Sequence, residues 1–262
     1  MSTLSVHMNS LRSTDRKRAL RSLSALAQAA SPQSVAFESE AVTYIPALLE
    51  LALERETVAQ AEVLNYLGNV YGSALGAWRR IQADCAPDEQ PDYDEMVAWE
   101  DSIARSYADV APAAMETLTE SSDARVRGAA LQLASQLELC RTSLIAMLPK
   151  MFAETTETAL KVDIIEALAH TGITLKPDGG SAEPTRSWLH RRRESDTPEI
   201  RLGATLSLIP RVDPDLREAL VESALSSSGA ERAAALEAMW LYERTIEWAT
   251  RRKVAPTRYI GA

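Results

Sequence analysis

The side chains best placed to do chemistry in this chain are grouped by charge. Positions 84–101 contain eight carboxylates and no lysine or arginine, and two aromatic residues lie among them. An acidic surface with aromatic side chains can attract a basic partner and supply the apolar contacts that hold it. We therefore expect a protein-contact surface here, the alternative being a solvated segment whose tryptophan packs on the scaffold. The expected contact residues are Tyr93, Asp94, Trp99, Glu100 and Asp101.

A second group of charged residues is basic and surrounds a tryptophan between positions 186 and 193. Guanidinium groups bind phosphate, and an indole ring can stack on a base. The alternatives are a basic helix surface that faces water and one that faces the acidic segment. As an anion site the group would use Arg186, Trp188, Arg191 and Arg192.

The sequence contains no strong catalytic or metal-binding motif. His-Glu-x-x-His, Gly-x-Ser-x-Gly and a phosphate-binding glycine loop do not occur. The Asp-x-Asp at 92–94 lacks the glycine and terminal glutamate of a calcium loop. We therefore expect no catalytic residue, no metal and no cofactor, and a protein that acts by binding rather than as an enzyme.

Bulk charge limits the partners. The formal net charge is −9 and the sequence pI is about 5.0, which disfavours nucleic acid and anionic membranes and suits a basic protein. No apolar run approaches the ~18 residues that span a bilayer. The two cysteines, Cys85 and Cys140, have neither redox nor zinc spacing. We expect a cytoplasmic protein with two unpaired thiols.

The elements that must position these groups follow from apolar spacing. The chain is rich in alanine and leucine, and its apolar residues recur at helical intervals from position 41 onward. Antiparallel helix pairs are predicted at 41–52 with 58–67, 109–120 with 123–138, 143–153 with 156–170, 185–194 with 197–209, and 213–225 with 230–248. Pro46, Pro112 and Pro149 fall inside the first helices of three pairs.

The second helices start with a recurring pattern, which reads Asp123-Ala-Arg-Val-Arg in its clearest copy. This pattern, the internal prolines and the segment Tyr44-Ile-Pro-Ala-Leu-Leu-Glu-Leu resemble HEAT repeats, and in particular uncharacterised bacterial HEAT-repeat proteins. The resemblance covers about 41–245. It implies an all-α, right-handed α-solenoid of about five helix pairs, in which Asp123, Arg127 and Arg201 form a structural ladder.

The repeat spacing locates an insertion after the first pair. Pro46 and Pro112 are 66 positions apart, whereas Pro112 and Pro149 are 37 apart, so about 29 residues are extra. We therefore divide the chain into an N-terminal capping helix and linker at 1–40, a HEAT-like array at 41–248 with an insertion at about 71–100, and a C-terminal tail at 249–262.

Solenoids present long grooves, which suit recognition better than catalysis. The resemblance and the charge together favour a non-enzymatic interaction scaffold, either an adaptor or an immunity-type inhibitor, that binds a basic protein. The alternative is an enzyme on a HEAT-like scaffold, as in the alkylpurine DNA glycosylases and the bilin lyases. Trp188, the arginines around it and Trp240 would then be its working residues, and the negative net charge disfavours that role. The oligomeric state is not indicated.

Overall fold

The computed structural model describes residues 3–30, 36–54, 57–173, 182–195 and 197–208, together with residue 219. Within these ranges every regular element is a helix and there is no strand, which confirms the prediction of an all-α protein. The α-helices are α1 (Thr3–Leu11), α2 (Arg16–Ala30), α3 (Ala41–Leu53), α4 (Gln60–Ala74), α5 (Ala77–Asp84), α6 (Asp94–Glu120), α7 (Ala124–Gln136), α8 (Arg141–Glu154), α9 (Thr158–Ile173), α10 (Ala182–Arg192) and α11 (Pro198–Leu208).

Helices occupy the positions of four predicted pairs, and the two members of three of these pairs pack on each other: α3 with α4, α6 with α7, and α10 with α11. The three internal prolines lie inside α3, α6 and α8, as expected. The fifth predicted pair at 213–248, Trp240 and the tail at 249–262 lie outside the described residues. The N-terminal region forms two helices rather than one, because the Asp15 side chain accepts hydrogen bonds from the Lys17 and Arg18 amides and starts α2 anew.

Residues 1–142 form one compact unit. In it α3 packs on α6 and α4 packs on α7, so the first helices of two pairs lie together and so do the second helices. The glycine run of α4 allows the close approach of α7, because a Cβ added to Gly68 would lie 3.3 Å from the Leu133 backbone. Gly76 adopts a left-handed φ of 79° and forms the corner between α4 and α5.

The insertion is helical and continues directly into the second pair. Residues 71–100 comprise the end of α4, all of α5, a short 3₁₀ turn at Gln90–Tyr93 and the first turns of α6. As a result α6 is a single helix of 27 residues whose buried face extends from Glu100 to Leu118. The acidic segment is therefore a helical hairpin that belongs to the scaffold.

Residues 143–262 form the second compact unit. In its described part α9 packs on α11, and α10 contacts both. Leu160, Ile164 and Ile165 of α9 are buried, as are Leu202 and Leu206 of α11. Cys140, in the first unit, and Cys85 are free thiols, in agreement with the sequence prediction.

Candidate functional site at an acidic corner

Helices α5 and α6 form a hairpin that carries the acidic segment. Helix α5 ends at Asp84, the chain turns through 85–89, and the 3₁₀ turn at Gln90–Tyr93 leads into α6. α5 packs against α6, so the turn between them is held at the end of two contacting helices. The position of every carboxylate in 84–101 follows from this arrangement.

Glu100 is a buried structural residue. It is 2% exposed, and its carboxylate accepts hydrogen bonds from the backbone amides of Trp78 at 2.8 Å and Arg79 at 3.4 Å. These amides belong to the first turn of α5, where no intrahelical acceptor is available. A negative charge there also complements the positive end of the helix dipole. The expectation that Glu100 contacts a partner is therefore corrected, because its carboxylate is enclosed and caps α5 from the neighbouring helix.

Two further predicted contact residues join the same two helices at the surface. Asp101 forms an ion pair with Arg79, and Asp94 accepts a hydrogen bond from the Gln82 side chain at 2.8 Å. The Gln82 amide also donates to the carbonyl of Gln90 at 2.9 Å. Asp94 and Asp101 are both exposed, and exposed ion pairs of this kind add little stability. Their oxygens therefore remain within reach of a partner while they hold the hairpin in one geometry.

The aromatic residues of the hairpin are partly exposed. Tyr93 lies against Trp78, with ring centroids 6.3 Å apart, and the Trp78 indole N–H donates to the carbonyl of Phe37 at 2.7 Å. A side-chain hydrogen bond with Cys85, together with nearby negative charge, raises the pKa of the Tyr93 phenol. Trp99 lies on α6 and is half-buried. Sequence reasoning missed Trp78, whose only signal was its place just after the helix-starting Gly76.

Five carboxylates remain exposed around the turn. We name this set the acidic corner: Asp84, Asp88, Glu89, Asp92 and Glu95. In the described part of the chain none of the five forms an ion pair. Their mutual repulsion is tolerated in water, and a cationic partner would convert it into attraction.

A shallow groove of about 560 Å³ lies along α6 beside the hairpin. The groove is lined by three alanines and two charged residues: Ala98, Ala104, Ala108, Asp101 and Arg105. The small side chains let another chain approach the helix closely, while Asp101 joins the groove to the hairpin.

The predicted anion-binding group lies on α10 in the second unit. The Arg192 guanidinium lies 4.8 Å from the Trp188 ring centroid and 4.9 Å from that of Phe152. Arg191 is exposed, and Arg186 belongs to α10 with its side chain outside the described part. The structure thus brings Trp188 and Arg192 together. Because the Arg192 guanidinium covers a face of the Trp188 ring, that face is not free to stack on a base.

Asp163 of α9 is an unusual carboxyl in the same unit. It is partly exposed at the surface, but desolvation by the surrounding protein raises the pKa of its carboxyl from 3.8 to about 7. The group is therefore largely protonated in weak acid, where other carboxylates are charged. Nothing in the sequence pattern had marked this residue.

Glu62 of α4 links three helices of the first unit, and Asp123 caps one of them. Asp123 caps α7 by accepting a hydrogen bond from the Arg125 amide at 2.8 Å, while the Arg125 guanidinium reaches Glu62 of α4 at 2.8 Å. Arg16 of α2 pairs with the same Glu62. Burial alone would raise the pKa of Glu62, but its hydrogen bonds and both arginine charges outweigh burial and lower it.

The resemblance to HEAT repeats also placed Arg127 and Arg201 in a structural ladder. Arg201 donates to the Ser195 carbonyl at 2.8 Å. The Nε atom of Arg127 is buried and makes no hydrogen bond within the described structure.

Comparisons of the chain with protein-family models, with curated proteins and with solved structures gave no match. Among the described helices none has both the length and the apolar character needed to cross a membrane. No three His, Cys, Asp or Glu side chains in the described ranges are grouped so that they could hold a metal ion.

Proposed function

We propose that this chain is a non-enzymatic interaction scaffold, a right-handed α-solenoid of HEAT type, that binds a basic protein through the acidic corner. An adaptor and an immunity-type inhibitor are the two roles that fit such a surface. The proposal places the protein in the cytoplasm, where its two free thiols are stable. It rests on the all-helical pairs and on the geometry of the α5–α6 hairpin.

The observation that carries the proposal is the fixed position of the acidic corner. The buried Glu100 carboxylate caps α5, and Gln82 and Arg79 hold the two helices together on the outside. A surface that is already ordered loses less conformational entropy on binding, so more of the interaction free energy appears as affinity.

The charge of the corner suits rapid and selective association. Five exposed carboxylates without ion pairs in the described chain make a local negative field that steers a cationic partner and repels an acidic one. Tyr93 and Trp99 supply partly exposed rings beside this charge. Aromatic rings at the edge of a charged patch are common anchors of binding energy.

The test compares three forms of the full chain as bait in lysate of the source organism, with captured proteins quantified by mass spectrometry. The corner variant carries Asp88→Asn, Glu89→Gln and Asp92→Asn. A control with the same change in charge carries Glu50→Gln, Glu157→Gln and Glu194→Gln, which are exposed carboxylates outside the hairpin.

We expect the wild type and the control to capture the same basic protein, and the corner variant to lose it. Capture should also weaken as salt rises, because the Debye length falls to about 8 Å at physiological ionic strength. Equal capture by all three forms would remove the acidic corner from the binding surface. A specifically captured partner that is acidic would contradict the proposed charge complementarity.

A further inference from the structure

The second unit contains a group of cations that the proposed function does not use. The Lys161 ammonium lies 5.4 Å from the centroid of the Phe152 ring, and the Arg192 guanidinium lies 4.9 Å from the same centroid. The two positive groups are therefore within about 10.3 Å of each other, although they come from different helices, α9 and α10. Trp188 completes the cluster with an edge-to-face contact to Phe152 at 5.1 Å.

These cations have no negative partner in the described structure. Neither Lys161 nor Arg192 forms an ion pair there. The Nε atoms of Arg192 and of the adjacent Arg193 are buried and make no hydrogen bond. Buried guanidinium donors without an acceptor are costly, and like charges held close together repel. An anion that binds beside the two charges would offset their repulsion.

The aromatic contacts prepare the arginine for that role. A guanidinium that stacks on rings uses its flat faces, while its N–H groups point outward in the plane of the group. Stacking on Phe152 and Trp188 therefore restricts the Arg192 side chain without using its donors. A planar fork that is already oriented suits the two oxygens of a phosphate group.

We propose that Lys161 and Arg192 form a binding site for the phosphate group of a small phosphorylated molecule. Arg192 provides the oriented hydrogen bonds, and Lys161 adds a compact charge from the neighbouring helix. Because Trp188 is already covered by Arg192, the site recognises the oxyanion rather than a stacked base. The site lies in the unit of residues 143–262 and is independent of the acidic corner.

The test is isothermal titration of the full chain with inorganic phosphate and, separately, with glycerol 3-phosphate at low ionic strength. Lys161→Gln and Arg192→Gln each remove one charge of the site. Arg191→Gln is the matched control, since Arg191 is the exposed neighbour on α10 with no aromatic contact in the described structure. Circular dichroism checks that each variant is folded, and Lys161→Gln carries the test alone if Arg192→Gln does not fold.

We expect one binding site per chain, unchanged affinity in Arg191→Gln and a loss of about tenfold or more in the two site variants. Arg192→Lys keeps the charge but loses the planar fork, so its affinity should lie between those of the wild type and Arg192→Gln. Tighter binding of glycerol 3-phosphate than of phosphate would identify a monoester as the preferred form, and the reverse order would identify the free ion.

Three results would overturn the proposal. The first is the absence of binding at millimolar phosphate. The second is an equal loss of affinity in Arg191→Gln, which would indicate attraction by net charge alone. The third is tighter binding of a single-stranded oligonucleotide that depends on Arg191 as much as on Arg192, which would indicate an extended nucleic-acid surface.

Discussion

Replacing Asp163 with asparagine is expected to stabilise the protein at neutral and alkaline pH and to leave it nearly unchanged in acid. Desolvation raises the pKa of this carboxyl from 3.8 to about 7 in the folded state. Between about pH 4 and pH 7 the unfolded chain has therefore lost a proton that the folded chain still holds. The free energy of unfolding falls as pH rises through this window and levels off above it, because the folded protein then carries the charge as well.

The size of the effect follows from the shift. Each unit of pKa difference corresponds to about 1.4 kcal/mol, so a change of about three units sets an upper limit of about 4 kcal/mol. Asp163 is partly exposed, and water at that side reduces the cost of the charge. We therefore expect Asp163→Asn to raise the free energy of unfolding by about 1 to 4 kcal/mol at about pH 8.

The assay is urea unfolding of both proteins, followed by circular dichroism at several values between about pH 4 and pH 8. Glu157→Gln is the control, because it removes the same charge from an exposed site just before α9. The stabilisation should appear only in Asp163→Asn and should grow with pH. A gain that is independent of pH, or a loss of stability at alkaline pH, would show that desolvation of Asp163 does not control its ionisation.

Three further substitutions test the packing and the helix capping of the first unit. Gly68→Ala should lower the free energy of unfolding by about 1 to 3 kcal/mol, because the new Cβ would lie 3.3 Å from the Leu133 backbone. Gly72→Ala should be nearly neutral, because only the end of the flexible Gln136 side chain approaches its Cβ position, and equal losses in urea unfolding would contradict this account. Glu100→Gln should cost about 1 to 2 kcal/mol in the same assay, since the neutral amide offers one acceptor to two amides, and an unchanged unfolding midpoint would remove the proposed cap.

The helix pairs could be predicted from the sequence because their signals are local. Apolar residues spaced by three and four positions marked α3, α4 and α7, and the Asp123 side chain caps α7 two residues before the amide it binds. The break between α1 and α2 depends on Asp15, a capping residue of the same kind that was passed over within a basic stretch.

The candidate site was predictable in composition but not in geometry. The sequence located the acidic segment, yet Glu100 reaches amides 22 and 21 positions away, and no local pattern encodes such a contact. Trp188 and Arg192 are four residues apart on one helix, so their contact follows from spacing. The approach of Phe152 and Lys161 depends on how three helices pack, which their separate periodicities do not specify.

Because α6 is one continuous helix, the number of its residues determines the direction in which the acidic corner points. At 27 residues this helix is about 40 Å long, and each residue turns it by about 100°. Removing one residue between Glu100 and Tyr107 would rotate Glu100 away from α5 and point the acidic corner in another direction, whereas inserting seven would change its angle by only about 20°. A change in the length of this segment therefore keeps the acidic corner pointing in the same direction only when it is close to a whole number of helical turns.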